Sequence, residues 1–125
     1  MNVDKLFALA HEAGQAAVAG TVPVPMIVGS ETELFSGKID HSKPTYFVEG
    51  GCCGFAWVNI KPANSKFAKL LVAKGLARKD GYYGGVSYWI SAFGQSLTRK
   101  EAYAYAFAGV LQEHGIKCYA MSRMD

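Results

Sequence analysis

The sequence predicts a single-domain α+β fold: a mixed β-sheet packed by about three helices in a two-layer sandwich. Three observations lead there. The chain has 125 residues, 50% of them hydrophobic and only 18% charged, and a chain of this size buries roughly two thirds of its unfolded surface in one core. Helical and strand-like periodicities alternate along it. The connections between them are only a few residues long, which favours one domain over two.

Taken in order, Val3, Leu6, Ala10, Ala13 and Ala17 share one helical stripe. Asn2 can cap its start, and Gly20 is a natural left-handed stop, giving a helix of about 16 residues. Pro23 and Pro25 bracket an extended piece, Met26 to Val28 reads as a brief strand, and residues 30–44 are polar and loop-like. Residues 45–49 have strand chemistry, and residues 50–54 form a glycine-rich connection into a strand over 55–61. Along that strand Ala56, Val58 and Ile60 face the core, while Phe55, Trp57, Asn59 and Lys61 face away. Pro62 stops the strand, Asn64 or Ser65 caps a helix buried through Phe67, Leu70 and Leu71, and Gly75 ends it.

Residues 80–85 form a glycine-rich turn into a strand over 86–93, where Val86, Tyr88, Ile90 and Ala92 alternate with Ser87, Trp89, Ser91 and Phe93. Thr98 and Glu101 have capping-box spacing. The helix they open carries Tyr103, Ala106, Phe107, Val110 and His114 on one stripe and stops at Gly115, before a final strand in which Ile116, Cys118 and Ala120 alternate. The βα alternation after residue 54 is the reason to expect crossovers and hence a mixed sheet.

Composition excludes several function classes. The net charge of +3 is far below that of DNA-coating proteins. Its distribution says more: Lys61, Lys66, Lys69, Lys74, Arg78 and Lys79 occur with no acidic residue among them. That run suits a phosphate-bearing partner or an ordinary solvated helix face. The odd cysteine count, with Cys52 and Cys53 adjacent, argues for a reducing, cytoplasmic setting. The apolar N-terminal run is broken by His11, Glu12 and Gln15 with no basic segment before it, so no secretory leader is expected. No stretch approaches the roughly 18 apolar residues of a membrane span.

Soft ligands are Cys52, Cys53, Cys118, His11, His41 and His114, none at a metal-binding spacing, so neither metal nor other cofactor is expected. A nucleophilic Cys52 or Cys53 has no identifiable base, and small cysteines under a tight turn explain the pair as well. Phosphate-loop geometry is absent because the glycine cluster leads into a strand, not a helix. The outward strand faces are more informative. Phe55, Trp57, Asn59, Lys61 and Trp89 combine flat rings, an amide and a cation, the mixture that stacks bases and reads their edges. The competing reading has the first helix packed over that face and the tryptophans as core. A second candidate surface is the low-charge side of the last helix, with Tyr105, Ala108 and Gln112 facing a second copy or another protein.

Residues 54–62, 78–85, the helix entry from Gln95-Ser96 to Glu101-Ala102, and the terminal Met121-Ser122-Arg123-Met124-Asp125 resemble a group of small uncharacterised proteins of tailed bacteriophages and prophages. The resemblance spans roughly residues 50–125. It implies a viral accessory protein in the bacterial cytoplasm that acts by binding, either blocking a host or defence protein or sequestering a nucleotide signal. No catalytic or binding residue is carried over from the group.

The expectation is therefore a non-enzymatic binding protein that holds a nucleotide-like or nucleic-acid anion. Phe55, Trp57 and Trp89 would stack, Asn59 would read a base edge, and Lys61 would supply a cation. Lys66, Lys69, Arg78 and Lys79 would meet phosphates. The alternative is a protein-interaction inhibitor or self-assembling component, a homodimer among them, using Tyr105 and its neighbours or the loop over 30–44. A cysteine-dependent enzyme at Cys52 or Cys53 is the third reading.

Overall fold

The computed structural model describes residues 2–21, 26–28, 46–48 and 53–124. Helix α1 spans Val3–Ala19, with the Asn2 side chain accepting from the Lys5 N–H at 2.9 Å as its N-cap. Its end differs from expectation. Gly20 has right-handed angles, φ −83° and ψ −5°, and its N–H simply extends the helical ladder to the Ala16 carbonyl. The backbone there uses none of the left-handed freedom of glycine.

Strands β1 (Met26–Val28) and β2 (Tyr46–Val48) pair antiparallel as a ribbon of their own. The strand expected over 45–49 thus pairs with β1 and not with the strand that follows it. The loop over 30–44, most of the 50–54 connection and Cys52 lie outside the described residues.

The central sheet holds β3 (Gly54–Lys61), β4 (Ala77–Lys79), β5 (Val86–Trp89) and β6 (Lys117–Met124) in the order β4-β5-β3-β6. Every pair in it is antiparallel, where a mixed sheet was expected. The reason is β4. After β3, helix α2 (Lys66–Ala73) returns the chain to the edge strand β4, and the 80–85 turn folds β5 back between β4 and β3. What reads as a crossover is a helix followed by a hairpin. Three residues of mainly basic sequence, Ala-Arg-Lys, carry too weak a strand signal to be seen beforehand. Strand β5 also stops early, at Trp89; the Ile90 N–H still reaches the Ala56 carbonyl at 3.0 Å, and Phe93, further on, takes φ 70°.

Helix α3 spans Leu97–Glu113 and is capped by Ser96, whose hydroxyl oxygen accepts from the Arg99 N–H at 3.3 Å. The expected Thr98–Glu101 box does not form. Glu101 instead accepts the Ser122 hydroxyl of β6 at 2.7 Å, tying helix to sheet. α3 lies between α1 on one flank and β3 and β6 on the other, so its buried arc is wider than one stripe: Leu97, Lys100, Tyr103, Ala104, Phe107, Ala108 and Leu111. His114, expected on the buried stripe, is exposed and bonds the Val110 carbonyl.

The core fills the space between this sheet face and the helices, with Ala56, Val58, Ile60 and Val86 meeting Phe67, Leu71, Phe107 and Leu111. At its α1 side Tyr103 joins three elements. Its hydroxyl lies 2.6 Å from His11 Nδ1 and 3.0 Å from the Tyr88 hydroxyl. Burial, and the neighbouring Tyr88 hydroxyl after it, raise the Tyr103 phenol above its ordinary value.

Gly14 sets how closely α1 approaches. A Cβ built there would sit 2.5 Å from the Tyr103 ring, which is buried and held at its hydroxyl by His11 and Tyr88. Gly14→Ala should therefore lower stability by about 1 to 2 kcal/mol, overpacking outweighing the better helix propensity of alanine. Urea unfolding checks this, and a variant as stable as the parent would contradict the close approach.

Candidate functional site

The pleat that turns Ala56, Val58 and Ile60 inward turns Phe55, Trp57, Asn59 and Lys61 to the opposite face. Cross-strand register extends that face. Trp57 stands opposite Trp89 and Met121, Asn59 opposite Ser87 and Tyr119, Phe55 opposite Arg123, and Arg78 opposite Ser87. α1 packs on α3 and touches α2. It does not cover this side, and among the described residues no helix does.

Exposure divides the two indoles. Trp89 is 42% exposed and Trp57 only 7%. Their rings stack at 4.5 Å with planes 21° apart, and Phe55 meets Trp89 edge-on at 6.2 Å. Trp57 is thus largely covered by its neighbours on the face, and Trp89 is the ring that faces solvent. Phe55 is half-buried and carries the Arg123 guanidinium over its face at 5.4 Å.

Two polar atoms on this face are buried without a hydrogen-bond partner: Trp57 Nε1 and Asn59 Oδ1. Such groups are rare because each forfeits its hydration for nothing. The rest of the Asn59 amide is engaged, its Nδ2 donating to the Gly84 carbonyl at 2.9 Å and to Ser87 Oγ at 3.4 Å. Ser87 in turn donates to Asp80 Oδ2 at 2.6 Å, and Asp80 Oδ1 accepts the N–H groups of Tyr82 and Tyr83 at 2.8 and 2.9 Å. The Ser87 hydroxyl first, then these backbone N–H groups and more distantly the Lys61 charge, hold the Asp80 carboxyl below its ordinary range.

The cleft has two lobes that share Asp80 and Trp89. One, of about 420 Å³, takes in Arg78, Lys79 and Ser87. The other, of about 510 Å³, takes in Trp57, Tyr82, Tyr83 and Arg123. No family model, curated protein or solved structure matches this chain. The reading of the site therefore rests on its own geometry.

The basic run does not act as a unit. Arg78 belongs to the aromatic face, Lys69 lines a separate apolar groove of about 350 Å³ beside α2 on the helix side, Lys79 at the sheet edge lines both that groove and the Arg78 lobe, and Lys66 is exposed on α2. Lys74 turns to α1, 3.9 Å from Asp4. The proposed surface on α3 needs correction too. Ala108 is 3% exposed and Ala104 is buried with it, because α1 and the sheet press on both flanks of the helix. Tyr105 and Gln112 of that set are exposed as expected, Gln112 also donating to the Cys118 carbonyl at 2.8 Å.

Of the cysteines described, Cys53 is exposed and Cys118 is buried, its thiol pushed up to about 11 by burial. Among the described residues no cluster of His, Cys, Asp or Glu can hold a metal, and no helix is long and apolar enough to cross a membrane.

Sequence reasoning missed Asp80, Tyr82, Tyr83, Tyr119 and Arg123. Signals for them existed. An Asp at the head of a glycine-rich turn readily accepts the N–H groups two and three residues on. In β6 the same alternation that buries Cys118 sends Tyr119, Met121 and Arg123 to the opposite face.

Because the Asp80 carboxyl is depressed in the folded state, its bonds stabilise the turn fully above its unfolded value of 3.8 and are lost as pH falls through the lower folded value. The amide resonances of Tyr82 and Tyr83 should hold steady at neutral pH and shift together in acid, with the transition below 3.8. Asp80→Asn should abolish that transition. A transition at or above 3.8, or one surviving in the variant, would contradict the carboxylate's role.

Proposed function

We propose that the protein is a non-enzymatic binder of single-stranded nucleic acid or a nucleotide fragment of it, held on the outer face of the central sheet. The observation that carries this reading is the Trp57–Trp89 stack on a face that no described helix covers, with one ring presented and cations on both sides. A base stacks on Trp89, backed by Trp57. Arg78 and Arg123 meet phosphates at either side, and Lys61 and Lys117 extend the positive rim at the far end of β3 and β6. Aromatic platforms flanked by cations bind single strands with little sequence preference, since every base has a π-face.

Beneath the platform lie the unpartnered Trp57 Nε1 and Asn59 Oδ1, a donor and an acceptor of the kind a small bridging water satisfies. The resemblance to small tailed-phage proteins gives the activity a setting, an accessory protein in the bacterial cytoplasm that captures a nucleotide-bearing partner. Lys66 and Lys69, on the helix layer, take no part.

Both tryptophans of the chain lie at the site, so intrinsic fluorescence reports binding directly. Trp89→Ala should weaken binding of a short single-stranded oligonucleotide by about 1 to 3 kcal/mol. Arg123→Ala should flatten the dependence of log affinity on log salt by about 0.7. Lys69→Ala should leave both nearly unchanged. Unaltered affinity in Trp89→Ala, with the fold intact by circular dichroism, would remove the stacking reading.

A further inference from the structure

The centre of the cleft has a chemistry that a simple polyanion site lacks. Asp80 lines both lobes, with Arg78 in one and Arg123 in the other. A carboxylate is an acceptor only, and a phosphate placed against it meets like charge. Phosphates therefore belong with the arginines, and the position between them suits a neutral group that donates a hydrogen bond.

The hydrogen-bond inventory sharpens this. Asp80 Oδ1 takes two backbone N–H groups, while Oδ2 takes the Ser87 hydroxyl and keeps capacity for one more donor. Ser87 gives its only proton to Asp80, so it can only accept from Asn59. That fixes the Asn59 amide with both N–H bonds spent on Ser87 and Gly84, leaving Oδ1 as a second acceptor without a partner. Every donor in the Asp80–Ser87–Asn59 chain is used. What the chain has spare is acceptors.

In a nucleic-acid strand the sugar lies between base and phosphate, and the 2′-hydroxyl is the donor that RNA has and DNA lacks. We infer that the cleft selects ribose: its substrate class is single-stranded RNA or a short ribonucleotide fragment, with Asp80 Oδ2 accepting the 2′-hydroxyl while the base stacks on Trp89. This rests on the nucleic-acid reading above and adds sugar discrimination to it. The role of Asp80 is to choose among strands, not to attract them.

The test compares one short mixed sequence as RNA, as DNA and as 2′-O-methyl RNA, titrated into the full chain at fixed salt and followed by tryptophan fluorescence. The methylated strand keeps an RNA-like backbone but cannot donate. RNA should bind about tenfold more tightly than DNA, the size of effect expected for one hydrogen bond to a charged acceptor. The 2′-O-methyl strand should fall to the DNA level. Asp80→Asn should narrow the preference, and since the three strands are compared on the unaltered protein, the result stands even if that variant folds poorly. Equal binding of all three strands would overturn ribose selection and leave the stacking platform in place. Binding of none would remove both.

Discussion

The pleat of β3 is the constraint on which the rest depends. Eight residues sit between β5 and β6, and alternation assigns each to one of two environments. Ala56, Val58 and Ile60 close the core, and the residues between them build the outer aromatic face. A slip of one residue would exchange the two sets, placing Trp57 and Asn59 against α3 and the aliphatic residues in solvent. Core and site are thus specified by one register. The paired lengths of β3 and β6, from Gly54 opposite Met124 to Lys61 opposite Lys117, hold it over the whole strand.

The two faces are built by different physics. On the core side, aliphatic packing is joined by a polar bridge in which the Tyr103 hydroxyl meets His11 of α1 and Tyr88 of β5. Beside it, Phe7, Phe67, Tyr88 and Tyr103 all make ring contacts with Phe107. A buried hydroxyl with two fixed partners costs little and orients what it joins. On the outer face the groups are unevenly satisfied. Asp80, Ser87 and one end of Asn59 form a closed chain, while Trp57 Nε1 and Asn59 Oδ1 are left over. Among the described residues, the buried side-chain polar atoms left unpaired both lie on the outer half of the sheet, not in the core that Tyr103 bridges.

Much of this architecture was legible in the sequence, and the failures have physical causes. Period-two alternation through Ala56, Val58 and Ile60 located β3 and its two faces, because burial on one side of a strand leaves a strict signal. Asn2 and Gly75 were read as helix boundaries, and of the two expected caps Asn64 and Ser65 it is Ser65 that caps α2. β4 was not read, since an edge strand as short as Ala77–Lys79 owes its existence to pairing with β5 and not to its own propensity. Ser96 displaced Thr98 as the cap because Leu97 is drawn into the core, adding to the helix two residues that the local motif could not reveal. The aromatic face was identified from Trp57, Asn59 and Trp89. That Trp57 would be covered and Trp89 presented depends on the turn and β6, which lie far from β3 in sequence.

We propose Trp89, backed by Trp57, as the contact surface for a nucleic-acid strand, and the two indole N–H resonances in a proton–nitrogen spectrum report on it one ring at a time. On titration with a short single-stranded RNA, the Trp89 resonance should move most, by ring stacking, and that of Trp57 less, through the ring current of the stack in front of it, while the amides around Tyr105 on α3 stay still. An RNA that binds and shifts α3 while leaving both indoles unmoved would contradict it.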